Sequence, residues 1–525
     1  MKKINFKNSS FIIFLIISLW YAIGNFFYWY IYTPIFVTRM DVVHFSDIFF
    51  DAFLYYNAPL ITWIMKFMFF VFGRHYYDLQ IIIINYLFFL IGLYFIYKIG
   101  FELKDKKTGN IAMILFALTP AVYGMSRQYG HQDWHVMIAV VVNIYCLMKL
   151  DDFKDRKWSV IYGITVGLGL LIKDEFLAYF FVPWLYVVIK SLIERAEKYK
   201  ILNIIITIVL GSIISGCHYF RIEIINKILH EPVIEQVHGS IFDFENFRIL
   251  TIGLSEYLLS PVIFVFFIIG LLFFVFKYRN KHKYILLLWF FIPWMIIMLM
   301  LHHKEAEYGL GFVPAMIFFG TVFISNIKNK YFKYIIVSTV VLVGILQYLN
   351  FSYGICNLKL FNSQFFYKQN NIFYYDKKFI NYNVMLTGKE YLFSLYNRIK
   401  KYKEYRVLFY YVEESMTFVL RINNIVFRDA LFLDKDILAK EDYDIFVKTN
   451  TKFKTIDDIL NVKHILGLLP KKYSIEKEKN KILDLQKYLE DNFEIIEESY
   501  ILNIPKEENL IQIYKNKRLI KEENQ

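Results

Sequence analysis

The first 353 residues repeat one pattern: runs of about 20 apolar residues, separated by short charged loops. A bilayer core of about 30 Å is crossed by a helix of about 20 apolar residues, so each run reads as a membrane span. The first, 11–32, follows Lys2, Lys3 and Lys7 and carries no small-residue cleavage signal, so it reads as an uncleaved anchor. The others are 79–97, 108–125, 134–150, 158–172, 176–189, 201–220, 257–276, 284–301, 309–324 and 334–353, about eleven in all. The run 60–72 is too short to cross and is interrupted by Lys66, which suits a helix lying in the membrane plane. Composition agrees: 57% of the 525 residues are hydrophobic and 20% aromatic, which excludes disorder, and three cysteines exclude a disulfide framework.

Orientation follows from the cations. Basic residues gather in alternate loops: Lys104, Lys106 and Lys107; Lys154, Arg156 and Lys157; Arg195, Lys198 and Lys200; Lys277, Arg279, Lys281 and Lys283; Lys328, Lys330 and Lys333. The intervening short loops hold Arg127, Lys173 and Lys304. Cytoplasmic loops attract Lys and Arg, so the N-terminus is expected inside and the chain beyond 353 outside. The same rule explains the net charge of +13 without nucleic acid as a partner. The expected architecture is an α-helical membrane domain over 1–353, with long outer loops at 33–78 and 221–256. A small mixed α/β extracytoplasmic domain follows over 354–525. Strands are expected at 406–412, 443–447 and 510–514, and an amphipathic helix at 475–492.

Charged and polar residues at the outer boundary need a reason, because charge near lipid is costly without partners. They gather in five places: Arg39–His44 with Asp41; Asn57-Ala58-Pro59-Leu60; Ser126–His135 with Arg127 and Asp133; Lys173-Asp174-Glu175; and His302–Tyr308 with His303 and Lys304. Acids and bases collected at one lipid–water boundary suit a reaction between a lipid-borne phosphate and a polar acceptor. A carboxylate takes the acceptor's proton, and cations hold the departing phosphate. Each cluster also has a plainer reading. Arg127 and Asp133 read equally as a structural ion pair, and Lys173-Asp174-Glu175 as a hairpin turn whose charges reach outward. The spacings of His131, His135, His302 and His303 match no closed zinc pattern, so no metal ligand is assigned, although a divalent ion stays open. The aromatic run 26–30 reads as lipid-facing and interfacial.

The ordered set of motifs resembles the GT-C glycosyltransferases, in particular the protein O-mannosyltransferases and the aminoarabinose transferases of lipid A, over residues 11–323. By that resemblance Asp41 corresponds to the catalytic carboxylate of the first outer loop, although Val42 replaces the family's second acid. Asn57-Ala58-Pro59-Leu60 corresponds to a His/Lys-Pro-Pro-Leu element. Arg127 and Asp133 match the pair before the fourth span, and Lys173 the lysine closing the fifth. Tyr308 and Pro314 match a Tyr…Pro element, with Lys304 and His303 just before it. The resemblance implies a polyprenyl-phosphate sugar donor, inversion at the sugar's anomeric carbon, and a protein, lipid or cell-envelope glycan acceptor. The implied location is the outer face of a bacterial cytoplasmic membrane. The competing reading is a transporter or flippase of a lipid-linked saccharide, which requires a polar path through the membrane.

Overall fold

The computed structural model describes residues 9–32, 59–72, 77–127, 132–193, 197–219, 258–300, 306–353, 407–409, 427–429, 445–449, 487, 491–500 and 510–523. They fall into two compact units, a helical one and one that holds the strands.

The helical unit runs α1 (Ser9–Tyr32), α2 (Leu60–Phe72), α3 (Tyr77–Leu103), α4 (Lys106–Ala117), α5 (Pro120–Met125), α6 (Gln132–Lys149), α7 (Arg156–Leu170), α8 (Phe176–Ile193), α9 (Lys198–Tyr219), α10 (Pro261–Phe276) and α11 (Lys283–Met300). A 3-10 turn (Ala306–Phe312), α12 (Val313–Asn326) and α13 (Lys330–Tyr353) complete it. Among the described helices, six are long and apolar enough to cross a membrane, fewer than the eleven spans expected. Three more are apolar but shorter, at Leu60–Phe72, Pro261–Phe276 and Lys283–Ile296.

The run 108–125 is the clearest departure from expectation, because it is two helices and not one span. Pro120 has no N–H to donate and forces Thr119 before it into an extended conformation, with φ −77° and ψ 126°. The helix therefore stops at Ala117 and restarts at Pro120. Similarly, α10 begins at Pro261 behind a Ser260 cap with φ 76°, later than the apolar run suggested.

Lipid is as apolar as leucine, so these helices associate by close packing and not by hydrophobic exclusion from water. Small residues mark the contacts. Gly163 and Gly167, four apart on α7, face α9: a Cβ on Gly167 would stand 2.6 Å from the Ile214 Cβ, and one on Gly163 3.0 Å from the Thr207 carbonyl oxygen. Gly270 of α10 lies against the backbone of α12, where a Cβ would sit 2.3 Å from the Phe319 oxygen. α12 is the centre of the unit; from Val313 to Val322 every residue is buried. Its neighbours include α10, α4, α11 and α3.

At the α6–α7 connection the chain turns through Asp151, Asp152 and Phe153, all with positive φ (46°, 56° and 61°). That conformation is costly for residues with a Cβ. Three contacts hold it: Lys190 on Asp152 at 2.9 Å, Asn203 on the Phe153 carbonyl at 2.8 Å, and the fully buried Phe153 ring.

The second unit holds a five-stranded sheet in the order β2-β1-β3-β5-β4. Its strands are β1 (Val407–Phe409), β2 (Phe427–Asp429), β3 (Ile445–Thr449), β4 (Phe493–Tyr500) and β5 (Leu510–Asn516). β1 is parallel to β2 and β3, and β5 is antiparallel to β3 and β4, with an irregularity between Ile495 and Glu497. A short α14 (Lys517–Glu523) follows β5. β2 and β4 were not expected. β4 reads Phe-Glu-Ile-Ile-Glu-Glu-Ser-Tyr, and its three acids mask the strand signal. Most of the expected helix 475–492 lies outside the described residues.

Candidate functional site

The start of α6, the end of α7 and the start of α8 converge on Lys173. It sits in the turn after α7, where its N–H bonds the Gly169 carbonyl and so continues the last helical turn. Its ammonium reaches both oxygens of Asp133 in the first turn of α6, at 3.1 and 3.2 Å, and Glu175 Oε2 at 3.0 Å. The two carboxylates differ in setting. The Asp133 side chain is 4% exposed and that of Glu175 35%, with Lys173 between them at 19%. Asp133 also sits at a helix N-terminus, where the backbone dipole favours its negative charge. The Glu175 carboxyl is pushed up to about 8, chiefly by burial. Lys173 opposes that rise, while Asp133 and Asp174 add to it.

Two other segments meet this corner. The Leu60 N–H donates to the Leu171 carbonyl at 2.8 Å, so the start of α2, including Pro59, is docked two residues from Lys173. The 3-10 turn that carries Tyr308 packs against α6, α8 and α11. Gly311 in that turn has its carbonyl held by Trp289 Nε1 at 2.8 Å. A Cβ on Gly311 would lie 2.4 Å from the ring of the buried Tyr179, one helical turn beyond Glu175. The turn can lie this close because position 311 has no side chain.

Arg127 goes elsewhere. It is 4% exposed, and its guanidinium donates to Asn25 Oδ1 at 3.0 Å, Ser352 Oγ at 2.6 Å and Tyr348 Oη at 2.5 Å. The same group lies over the Tyr348 ring at 4.8 Å and the Tyr123 ring at 5.9 Å. It therefore joins α1, the end of α5 and the end of α13. This corrects the reading of Arg127 and Asp133 as an ion pair: Asp133 meets Lys173, and the Arg127 bonds found here go to three neutral side chains.

Of the residues expected from sequence, Asp133 and Lys173 are brought into contact, and Pro59 is brought close to them. Tyr308 is placed by its backbone alone. Asp41, Asn57, His303, Lys304 and His131 lie outside the described residues. His135 is buried in α6, with its ring 4.6 Å from that of Phe88. Among the described residues no group of three or more His, Cys, Asp or Glu is arranged to hold a metal ion. Sequence reasoning placed Glu175 in the Lys173 cluster but gave it no role of its own, and it missed Asn25, Tyr348 and Ser352. Asn25 and Ser352 are polar interruptions of apolar runs, a usable signal, whereas Tyr348 looks like any interfacial aromatic.

Residues 56–215 match the family described as Dolichyl-phosphate-mannose-protein mannosyltransferase. That segment contains Asn57, Pro59, Arg127, Asp133 and Lys173. No curated protein sequence matches the chain. By fold, the chain is similar to ArnT from Cupriavidus metallidurans bound to undecaprenyl phosphate, with a TM-score of 0.57, 10% identity, and coverage of 94% of this chain and 97% of that one. It is also similar to the archaeal oligosaccharyltransferase AglB from Archaeoglobus fulgidus in complex with an inhibitory peptide and a dolichol-phosphate, with a TM-score of 0.55, 12% identity, and coverage of 97% and 88%. With its apolar helices, the chain is a multi-pass membrane protein that resembles the GT-C membrane glycosyltransferases, by sequence over 56–215 and by fold over nearly its whole length.

Proposed function

We propose that the chain is an inverting glycosyltransferase that moves a sugar from a polyprenyl-phosphate donor to a protein, lipid or cell-envelope glycan acceptor. The observation that carries this reading is the corner at Lys173. A lysine is held by Asp133 beside the docked start of α2, inside the segment that matches a mannosyltransferase family. The bound undecaprenyl phosphate and dolichol-phosphate of the two structural relatives support the donor class.

In this reading the Asp41 carboxylate takes the proton of the acceptor O–H or N–H. The freed lone pair attacks the anomeric carbon, and the bond from that carbon to the phosphate oxygen breaks on the opposite face. Negative charge grows on the departing polyprenyl phosphate, where Lys173 and Lys304 stabilise it, with His303 and Tyr308 beside them. Asn57 and Pro59 shape the donor's entry, Asp133 aims Lys173, and Arg127 holds α1, α5 and α13 together around the site. The site faces outward from a bacterial cytoplasmic membrane, with the N-terminus inside and residues 354–525 forming an extracytoplasmic α/β domain. The flippase reading needs a polar path through the unit, and the expectation from sequence that the site residues lie in loops on one side speaks against it.

The test is incubation of the purified protein with a panel of polyprenyl-phosphate sugars and mass analysis of the products. Asp41→Asn is expected to abolish transfer in a protein that still elutes and melts like the wild type. Near-wild-type turnover would remove Asp41 from the mechanism, and sugar movement across vesicles without a new glycosidic bond would favour the flippase.

A further inference from the structure

Lys173 is gripped from two sides, and the two grips are unequal. Asp133 is buried at a helix start, while Glu175 sits on the turn, about a third exposed. A phosphate ester arriving at Lys173 has to share the ammonium with both. With Glu175 ionised, the three groups carry a net charge of −1 before the ester arrives, and a second anion is repelled. With Glu175 protonated the net charge is zero, and the carboxyl offers an O–H that can donate to a phosphate oxygen.

We propose that Glu175 gates the lipid-phosphate site by its protonation: the neutral carboxyl admits the phosphate ester of a polyprenyl lipid to Lys173, and the carboxylate excludes it. The inference rests on the polyprenyl-phosphate reading above and adds a residue to it. The described ionisable groups that face Glu175 are Lys173 and Asp174 on its own turn, Asp133 from α6 and Tyr179 from α8. Burial is the largest influence and favours the neutral form, as do the two aspartates, with Lys173 the opposing charge. A carboxyl held near 8 is mostly protonated at neutral pH, so the site is receptive there and closes in mild alkali. Below that value binding moves no proton to or from Glu175, and above it one proton is taken up per ester bound.

The experiment measures binding of undecaprenyl phosphate to the full-length protein in detergent between pH 7 and pH 9.5. Wild-type affinity is expected to hold near neutrality and then fall by up to about tenfold per pH unit above the Glu175 transition. Glu175→Gln, which keeps the amide neutral, is expected to bind equally well throughout. Asp174→Asn, on an exposed neighbour whose charge raises the Glu175 value, is expected to move the break to lower pH. A Glu175→Gln profile parallel to wild type overturns the proposal, as does loss of binding at every pH in a Glu175→Gln protein that melts normally. If Glu175→Gln does not fold, an unmoved break in Asp174→Asn overturns it. Wild-type protein that binds no undecaprenyl phosphate at any pH refutes the donor reading itself, and the gate with it.

Discussion

Replacing Arg127 with alanine tests whether this residue holds the helices or the substrate. Among the described residues the guanidinium donates three hydrogen bonds, to Asn25, Ser352 and Tyr348, in a site where it is 4% exposed. A hydrogen bond from a charged donor contributes about 1.5–3 kcal/mol. The sum overstates the loss, because a buried charge has also given up its hydration and the three bonds are coupled. A net cost of about 3–5 kcal/mol is reasonable for Arg127→Ala, and about 2 kcal/mol for Tyr348→Phe, which removes one acceptor. In a chain this long each kcal/mol moves the melting temperature by roughly 2 °C or less, so Arg127→Ala is expected to melt on the order of 5 °C lower. Thermal unfolding of the detergent-solubilised protein, followed by tryptophan fluorescence, reads both. The signature is non-additivity: once Arg127 is gone, Tyr348→Phe has little left to lose. If Arg127→Ala melts with the wild type, or if Tyr348→Phe costs as much in its background as alone, the clamp joining α1, α5 and α13 is wrong. A role for Arg127 on the substrate then becomes the better reading.

The other predictions concern packing and pH. Gly270→Ala puts a Cβ 2.3 Å from the Phe319 oxygen, a backbone atom that cannot swing away, and is expected to cost about 1–3 kcal/mol or to block folding. Gly320→Ala, whose Cβ would lie 3.3 Å from the Phe266 backbone, is the milder control, and equal melting of the two variants would refute the packing argument. Glu175 also links stability to pH. Its carboxyl value rises on folding from the ordinary 4.5 to about 8, so its contribution is whole below the lower value and is lost as pH rises through the upper one. Glu175→Gln is therefore expected to melt above wild type at pH 9, with the difference closing toward acid pH. A difference that is constant with pH, or of opposite sign, contradicts the raised value.

The helices were legible because their signal is local. Twenty apolar residues in a row leave the backbone only one way to satisfy its hydrogen bonds in lipid, and α1, α3, α9 and α13 fall close to where the runs predict. The break at Pro120 was also visible, since proline acts on its neighbours in the chain, but the apolar content of 108–125 outweighed it in the reading. The sheet was half legible. β1, β3 and β5 have runs of apolar and β-branched residues, whereas three acids hide β4. At the candidate site, the sequence could nominate Asp133 and Lys173 because charge at a lipid boundary is unusual. It could not say which cation meets which carboxylate, because the partners are 40 residues apart and only folding sets the distance between them.

The sequence by itself determined that this chain lives in a membrane, roughly where most of its helices lie, and which charged residues deserve attention. These follow from hydrophobic length and from the cost of charge near lipid, both properties of the chain read a few residues at a time. The tertiary structure alone decided that Lys173 is shared between a buried Asp133 and a Glu175 about a third exposed, and that Arg127 ties α1 to the end of α13. It also decided that Gly311 lets the 3-10 turn close on Tyr179. Each depends on side chains from separate helices coming within about 3 to 5 Å, and helix packing, with glycines where two backbones must nearly touch, is what sets those distances.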